Sequence, residues 1–309
     1  MVKKRQLGNT DLYVSEIALG CMNLGTNVTQ ASHVIHTALD QGINYLDTAD
    51  LYDFGQNEKI VGQAIKGKRD QLIIATKGGN HFEPGKDGWY WDPSKAYLKE
   101  AIKNSLLRLG LDDLDLYQLH GGTIEDPTDE VIEAFEELKQ EGLIRYYGIS
   151  SIRPNVINRF VERSDMVSVM MQYSLLDRRP EEELLDHLND HNIGVVVRGA
   201  LGKGMLTNKG QSQWQKKGQD GFLDYDADQL KSVVTSLQDL ANEAHLSPQS
   251  LAIGYVLNHP AVSSLALGAS RPEQVLDNVR AYEAAQLSED LIKKLKQITK
   301  ANVYKQHRQ

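Results

Sequence analysis

Cysteine is almost absent from this chain, because Cys21 is the one thiol among 309 residues. A single cysteine excludes an internal disulfide and is typical of a protein in a reducing compartment. Long apolar runs are missing too, since no stretch approaches the roughly 18 consecutive apolar residues that a membrane span requires. The basic N-terminus lacks the apolar segment of a secretory signal. We therefore expect a cytoplasmic protein with no membrane partner.

Excess positive charge is also lacking. The chain carries 34 Lys and Arg against 42 Asp and Glu, a formal net charge of −8. Proteins that bind duplex nucleic acid usually present a net basic surface, so no nucleic-acid partner is expected. Local basic sites for a phosphorylated small molecule stay compatible with this balance. Because no Pro/Ser-rich linker or low-complexity tract divides the sequence, we predict a single domain over residues 1–309.

What the sequence does contain is a regular alternation of short β-rich runs and amphipathic helical patterns. One helix begins after Ser94 and ends at Gly110, with apolar residues at helical spacing between them. Alternating strands and helices imply parallel pairing, and eight such units fit a closed (β/α)8 TIM barrel. An N-terminal β-hairpin, residues 4–7 and 12–14, is expected to cover one end. The eight β-rich runs are residues 16–19, 45–47, 72–77, 114–117, 146–149, 166–169, 194–197 and 264–267.

Two long segments match neither a strand nor a helix. Residues 78–92 follow the third strand, and residues 202–228 follow the seventh. Segments of this length without secondary structure are uncommon in compact domains unless they are functional. Both come after strands, on the face where barrel enzymes carry their active sites. We therefore predict that they are long loops on the substrate side of the barrel.

Titratable residues end three of the predicted strands. Asp47, Lys77 and His120 end strands two, three and four, and Tyr52 lies five residues after Asp47. An ordinary ion pair between Asp47 and Lys77 is one interpretation. Together, however, the residues can do acid chemistry, because an ammonium held by a carboxylate should lower the pKa of tyrosine from about 10. A neutral His120 can bind the same carbonyl oxygen. This group predicts a general acid for a developing alkoxide, which requires a hydride donor.

Three segments of the sequence carry a family resemblance. They are residues 47–52 (DTADLY) with Asn57, Glu58 and Gly62 after them, residues 107–120 (LRLGLDDLDLYQLH), and residues 141–150 (EGLIRYYGIS). With these motifs the chain resembles the aldo-keto reductases along essentially its whole length. The resemblance implies NADPH-dependent reduction of a small-molecule aldehyde or ketone, with the proton from Tyr52. It also implies a catalytic tetrad of Asp47, Tyr52, Lys77 and His120.

The G-x-G-x-x-G fingerprint of dinucleotide-binding sheets is absent. Gly199, Gly202 and Gly204 have the reverse spacing and fit no Walker loop, so by themselves they indicate a turn. The resemblance implies that residues 198–205 cross the nicotinamide and the pyrophosphate, where Gly199 permits close approach and Lys203 neutralises phosphate. The implied cofactor-binding set is Gly20, Cys21, Met22, Asp47, Tyr52, Ser150, Gln172, Arg198, Gly199, Leu201, Lys203, Gly268, Ser270, Arg271, Gln274 and Asn278.

Residues 268–278 are implied to hold the adenosine end of the cofactor. Ser270 and a helix start would bind the 2′-phosphate, and Arg271 adds a forked cationic donor that favours NADP over NAD. Gln274 and Asn278 are four residues apart, on one helical face that suits adenine. Without the resemblance, helix capping and a solvated face explain these residues equally well. Cys21 follows the first strand beside the cofactor, and we interpret it as a packing residue.

Three positions depart from the pattern of the resembled family. Ser151 stands where asparagine is usual, and Met170 stands where a glutamine normally binds the carboxamide. Gln172 shares a strand face with Met170, so we expect Gln172 to substitute for it. Arg198 replaces an aromatic residue that stacks on the nicotinamide. A guanidinium also stacks on flat rings, but its charge disfavours the oxidised ring, which predicts a bias toward NADPH over NADP⁺.

The sequence leaves two other functions to consider. The resemblance extends to the beta subunits of voltage-gated potassium channels, which suggests a cofactor-sensing binding or regulatory protein. The lack of a basic or amphipathic N-terminal extension disfavours that hypothesis. A metal-dependent barrel hydrolase lacks a convincing ligand set, because His187 and His191, although four residues apart, indicate a solvated helix face. No metal is therefore expected.

Overall fold

The structure is a computed structural model that describes residues 2–83 and 85–308. Its strands, in chain order, are β1 (Lys4–Gln6), β2 (Tyr13–Ser15), β3 (Ile17–Gly20), β4 (Tyr45–Asp47), β5 (Ile73–Gly78), β6 (Asn80–His81), β7 (Tyr90–Trp91), β8 (Leu114–Leu119), β9 (Ile144–Ser150), β10 (Ser168–Gln172), β11 (Gly194–Arg198) and β12 (Val262–Gly268). Its α-helices are α1 (Val28–Asp40), α2 (Gln56–Ala64), α3 (Lys95–Leu109), α4 (Thr128–Gln140), α5 (Pro154–Arg163), α6 (Leu184–Asp190), α7 (Gly210–Lys217), α8 (Ala227–Glu243), α9 (Pro248–Leu257), α10 (Pro272–Glu283) and α11 (Glu289–Gln297).

A closed barrel of eight parallel strands forms the centre of the fold. Neighbouring strands follow the order β10-β11-β12-β3-β4-β5-β8-β9, and β9 pairs with β10 to close the ring. Each of the eight β-rich runs in the sequence overlaps one of these strands. The predicted (β/α)8 TIM barrel is therefore confirmed, and the alternation of strand and helix is its physical reason, since a parallel pair needs a crossover.

The N-terminal hairpin covers the amino-terminal end of the barrel. β1 pairs antiparallel with β2, with Lys4 opposite Ser15. Gly8 lies against backbone atoms of Asn192 and Gly194, where β11 begins. Apolar side chains of the hairpin enter one buried cluster with inward-facing strand residues, among them Leu7, Leu12, Val14, Tyr45, Leu116 and Val196. These side chains fill the amino-terminal end of the barrel. An active site is therefore expected at the opposite, carboxyl-terminal end.

A second apolar core fills the space between the barrel and its helices. Phe135 of α4 stacks on Tyr147 of β9, with the ring centroids 5.1 Å apart, and meets Tyr117 of β8 edge-on. The predicted helix after Ser94 is α3, which the Ser94 side chain caps and Gly110 ends in a left-handed conformation. Among the described residues, no helix is both long and apolar enough to cross a bilayer. The two cores hold the strand ends in fixed positions.

The two long segments, predicted as substrate-side loops, contain short elements of regular structure. Residues 78–92 contain the antiparallel pair β6 and β7, and residues 202–228 contain α7 and the start of α8. Two-residue strands are too short for a periodic pattern to reveal them. The α7 sequence, GQSQWQKK, lacks an apolar stripe because most of its side chains face solvent. Both segments still lie on the carboxyl side of the barrel, after β5 and β11.

Candidate active site

A large cavity opens at the carboxyl ends of the barrel strands. Its volume is about 1660 Å³, which exceeds the roughly 300–1,000 Å³ typical of a site for one small ligand. The cavity therefore has room for a long cofactor and a substrate together. Residues at or just after the ends of seven barrel strands line it, namely Gly20, Asp47, His120, Ser150, Gln172, Arg198 and Gly268.

Lys77 is the centre of a buried polar cluster in the wall of this cavity. Its Nζ atom lies 2.7 Å from Oδ1 of Asp47 and donates to the carbonyl oxygen of Thr48 at 2.7 Å. The same ammonium group donates to the hydroxyl of Tyr52 at 3.5 Å. The ring of His120 meets the ring of Tyr52 edge-on, with centroids 5.9 Å apart. The structure thus brings the four proposed catalytic residues into one group.

Burial determines the direction of the pKa shifts of Tyr52 and Asp47, whereas neighbouring charge determines that of Lys77. Desolvation raises the pKa of Tyr52 above its ordinary value of 10.0, and the Lys77 ammonium offsets this rise only in part. Lys77 thus lowers the pKa of Tyr52 as expected, but burial outweighs it, so the net pKa is raised instead of lowered. Burial alone would lower the pKa of Lys77, but Asp47 and Tyr52 raise it above 10.5. Burial likewise raises the pKa of Asp47, against the opposing charge of Lys77.

His120 is a neutral imidazole at physiological pH. Burial lowers its pKa to about 3, and the charges of Lys77 and Arg198 act in the same direction. Its Nδ1 atom is buried and has no hydrogen-bond partner within the described part of the chain. A neutral imidazole offers one donor and one acceptor nitrogen. Together with the Tyr52 hydroxyl, it can therefore hydrogen-bond a carbonyl oxygen.

Asn57 fixes the backbone that binds Lys77. Its side-chain nitrogen donates to the carbonyl of Cys21 at 2.8 Å, and its oxygen accepts from the Thr48 hydroxyl at 2.7 Å. The carbonyl of Thr48 is one acceptor of the Lys77 ammonium. Asn57 is part of the sequence motif, but the sequence does not predict its role. Lys77 binds the backbone carbonyl of Thr48, and the side-chain pattern of a sequence does not show backbone contacts.

Glu58 anchors the turn that carries Tyr52. Its carboxylate is fully buried and lies 2.6 Å from the Nε atom of Arg108, while Thr76 donates to it at 2.5 Å. These bonds tie α2 to α3 and β5. Gly55, between Tyr52 and α2, has φ +83°, and a Cβ there would lie 2.7 Å from the Arg108 side chain. The turn after Tyr52 therefore requires glycine.

Most of the expected cofactor-binding residues line the cavity. The floor is largely backbone, because Gly20 and Gly268 face each other in the paired strands β3 and β12. A Cβ at Gly268 would come within 2.9 Å of Asn23, and Gly199 has φ +73°. A flat backbone surface of this kind fits a planar nicotinamide ring. The lining members of the set are Gly20, Met22, Asp47, Tyr52, Ser150, Gln172, Arg198, Gly199, Leu201, Lys203, Gly268, Gln274 and Asn278.

Gln172 has both ends of its amide engaged. Its oxygen accepts from Arg198 at 3.2 Å, and its nitrogen donates to Asp177 at 2.8 Å. Met170 lines the cavity beside it on the same strand. Its amide keeps a second donor hydrogen and a second acceptor lone pair, and its role as the substitute for the usual carboxamide-binding glutamine stays a prediction.

The residues expected to bind the adenosine end of the cofactor are hydrogen-bonded to other side chains of the protein. The backbone nitrogen and the hydroxyl of Ser270 both donate to Gln274, at 2.8 and 3.0 Å. Asn278 accepts from Gln249 at 2.6 Å, and Gln249 also lines the cavity. Sequence reasoning missed Gln249 because it lies on α9, far from any motif. Arg271 stands at the exposed start of α10.

Three members of the expected cofactor set lie outside the cavity wall of the described residues: Cys21, Ser270 and Arg271. The side chain of Cys21 is fully buried, and burial raises the pKa of its thiol far above the ordinary value. The thiol therefore packs beneath the site and offers no surface to a ligand. Ser270 and Arg271 flank the start of α10, next to the wall residue Gln274.

The comparisons with known proteins agree with this geometry. A sequence profile of the Aldo/keto reductase family matches residues 16–300. The chain is 54% identical over 308 residues to the oxidoreductase YqkF of Bacillus subtilis, covering 99% of this chain and 100% of that protein. It is 31% identical over 304 residues to the NADH-specific methylglyoxal reductase of Escherichia coli, covering 91% and 93% of the two chains.

Structural similarity leads to the same family. The fold superposes on the holo form of aldo-keto reductase AKR11C1 from Bacillus halodurans with a TM-score of 0.94 and 53% sequence identity, over 100% of both chains. The family profile spans the barrel from before β3 to the end of α11. This chain belongs to the aldo/keto reductase family.

Proposed function

We propose that this protein reduces aldehyde or ketone carbonyls with NADPH, and that Tyr52 supplies the proton. The observation that carries the proposal is the Tyr52 hydroxyl at 3.5 Å from the Lys77 ammonium, in a cavity shared with neutral His120. The family and the oxidoreductase relatives support carbonyl reduction in general. We further propose that residues 1–309 act as one domain in the cytoplasm.

The proposed roles of the residues follow from their protonation states. The raised pKa of Tyr52 keeps its phenol protonated at neutral pH, so it has a proton to give. The buried Lys77 ammonium then stabilises the phenolate that remains, and Asp47 holds that ammonium in position. His120 orients the carbonyl oxygen by a hydrogen bond. A nicotinamide cofactor, when bound, supplies the hydride that reduces the carbonyl carbon.

The test of this proposal is a panel of aldehydes, ketones and sugars followed by the loss of NADPH absorbance. We expect turnover of at least one class of carbonyl compound, with NADPH preferred over NADH. A purified, folded protein that consumes neither cofactor with any carbonyl would contradict the proposal. The NADH-specific relative from Escherichia coli makes the comparison of the two cofactors necessary.

Arg271 is expected to set the preference for NADPH. A guanidinium at a helix start binds a phosphate through charge-assisted hydrogen bonds, so we expect Arg271→Gln to raise the KM for NADPH about tenfold. The KM for NADH should change by less than about twofold, because NADH lacks the 2′-phosphate that the guanidinium would bind. Steady-state kinetics with both cofactors measures the two values.

Arg163→Gln is a matched control, because Arg163 is an exposed arginine at the end of α5 that pairs with Asp129 of α4 and does not line the described cavity. We expect this control to leave both KM values unchanged. Equal increases for NADPH and NADH in Arg271→Gln would show that Arg271 does not recognise the phosphate.

The pH profile of reduction should lack the inflection of an ordinary histidine. Since the pKa of His120 is lowered to about 3, its ring stays neutral from pH 5 upward. The raised pKa of Tyr52 keeps the phenol protonated through pH 9. We therefore expect kcat/KM for a neutral aldehyde to stay flat between pH 5 and 9. An inflection near pH 6.5 that disappears in His120→Gln would contradict the neutral state of His120.

A further inference from the structure

The cavity has a second wall that the proposed cofactor site does not use. This wall, called the substrate wall here, consists of Trp89, Trp91, Ile152 and Arg153, and it lines the same cavity as Tyr52 and His120. The glycines of the nicotinamide floor come from β3 and β12, whereas the substrate wall comes from the β6–β7 hairpin and the segment after β9. A substrate whose carbonyl reaches Tyr52 would extend along this wall.

Arg153 lines the same cavity as His120 and is bonded to the segment that follows His120. β8 and β9 are paired in register, with Leu119 opposite Ile149, so the segments that follow them lie side by side. Arg153 comes after the end of β9, and its guanidinium donates to the carbonyl oxygen of Gly122, two residues beyond His120. This hydrogen bond holds the cation at the mouth of the cavity, within one short loop of the catalytic histidine.

Within residues 2–83 and 85–308, the guanidinium of Arg153 forms no ion pair with an acidic side chain. No carboxylate of the described residues lies within 4 Å of its guanidinium, whereas Arg163 on the adjoining helix pairs with Asp129 at 3.0 Å. The acidic side chain of the neighbouring loop, Asp126, instead accepts hydrogen bonds from Trp91 and Thr123. A half-buried guanidinium without an ion-pair partner among the described residues is notable in a chain of net charge −8. Its free donors can bind an anion.

The rest of the wall is apolar and partly fixed. The indole nitrogen of Trp91 donates to Asp126 at 2.9 Å, which holds that ring against Gly79 and Gly121. Trp89 is 54% exposed, so its indole ring has surface available for contact with a ligand. Flat indole surfaces favour an aromatic or extended apolar group, and a guanidinium favours a carboxylate, which it can bind through two parallel hydrogen bonds.

From this arrangement we propose that the preferred substrates are carbonyl compounds that also carry a carboxylate, and that Arg153 binds this carboxylate while Tyr52 and His120 hold the carbonyl. This inference rests on the proposed carbonyl reductase activity. An apolar or aromatic spacer between the two groups would lie along Trp89 and Trp91. Arg153 is thus a specificity-determining residue.

The experiment compares two matched substrates, 4-carboxybenzaldehyde and its methyl ester, which differ in one negative charge. We expect the wild-type enzyme to have a lower KM for the acid. Arg153→Met should raise the KM for the acid about 10- to 100-fold, the range for loss of a hydrogen bond to a charged group, and change the KM for the ester by less than about twofold. Arg153→Lys should recover part of the loss for the acid.

Arg159→Met is the matched control. Arg159 lies on α5, donates to the carbonyl oxygen of Ile124 at 2.6 Å, and does not line the cavity in the described structure. We expect it to leave both KM values unchanged, and thermal denaturation verifies that each variant is folded. Equal changes for acid and ester in Arg153→Met would overturn the inference, because Arg153 would then only support the Gly122 loop.

The outcomes separate this inference from the proposed function. A wild-type enzyme that reduces the ester as well as or better than the acid overturns the carboxylate preference and leaves carbonyl reduction intact. An enzyme that reduces neither these compounds nor any other carbonyl overturns the proposed function itself. Added salt should raise the KM for the acid and not for the ester, because salt screens the charge pair.

Discussion

Replacing Tyr52 with phenylalanine is expected to lower kcat for carbonyl reduction by about 1,000-fold, within the range that general acid catalysis contributes. The variant loses the one hydroxyl that the Lys77 ammonium contacts in the cavity, at 3.5 Å. The aromatic ring stays, so its edge-on contact with His120 and the shape of the cavity are kept. The dissociation constant for NADPH should therefore remain within about twofold of wild type.

Steady-state kinetics and fluorescence titration measure these two quantities. Tyr13→Phe is the matched control, because Tyr13 is 55% exposed in the hairpin at the opposite end of the barrel. The control should keep full turnover. A Tyr52→Phe enzyme that retains more than about a tenth of wild-type kcat would exclude Tyr52 as the proton donor, because the loss would fall below the smallest usual contribution of a general acid.

Replacing Lys77 with methionine is expected to destabilise the fold and abolish turnover together. The Lys77 side chain is fully buried, and its loss leaves the Asp47 carboxylate in the interior without its ion-pair partner. Breaking a buried pair in this way typically costs about 3–5 kcal/mol in the free energy of unfolding. Activity should fall because no ammonium remains to stabilise the phenolate of Tyr52. Urea denaturation and steady-state kinetics measure the two effects.

A double variant separates the structural role of Lys77 from its chemical role. In Asp47→Asn/Lys77→Met no unpaired charge is left, so we expect most of the lost stability to return, as replacement of both partners of a pair is better tolerated than removal of one. Turnover should not return. Recovery of turnover in the double variant would contradict the role of the ammonium in catalysis, whatever the stability shows.

The barrel and the polar cluster were predictable because each has a direct sequence signal. Strands and helices alternate along the chain, and Asp47, Lys77 and His120 end neighbouring strands, so parallel pairing alone brings them to one end. The acidity of Tyr52 was not predictable. Its net pKa shift depends on burial, and burial depends on how residues far apart in the sequence pack around the side chain.

Other parts of the site depend on contacts that a sequence does not display. Thr48 binds Lys77 through its backbone, and Gln249 reaches the cavity from a helix outside every motif. A lone arginine such as Arg153 does not indicate a binding site in a sequence. Its proposed role depends on its place in the cavity wall and on the lack of an ion-pair partner among the described residues. Cys21 was expected at the cofactor because of its place after β3, yet its side chain turns into the core.

The burial of Cys21 also makes the protein convenient for chemical labelling. Alkylating reagents react with the thiolate, and a buried thiol with a strongly raised pKa supplies almost none of it. The folded native chain should therefore react only negligibly with maleimides, so Cys21 need not be replaced before labelling. A cysteine placed at the exposed Gln215 of α7 would carry a single fluorophore. That probe would report directly whether the segment after β11 changes position when a cofactor binds.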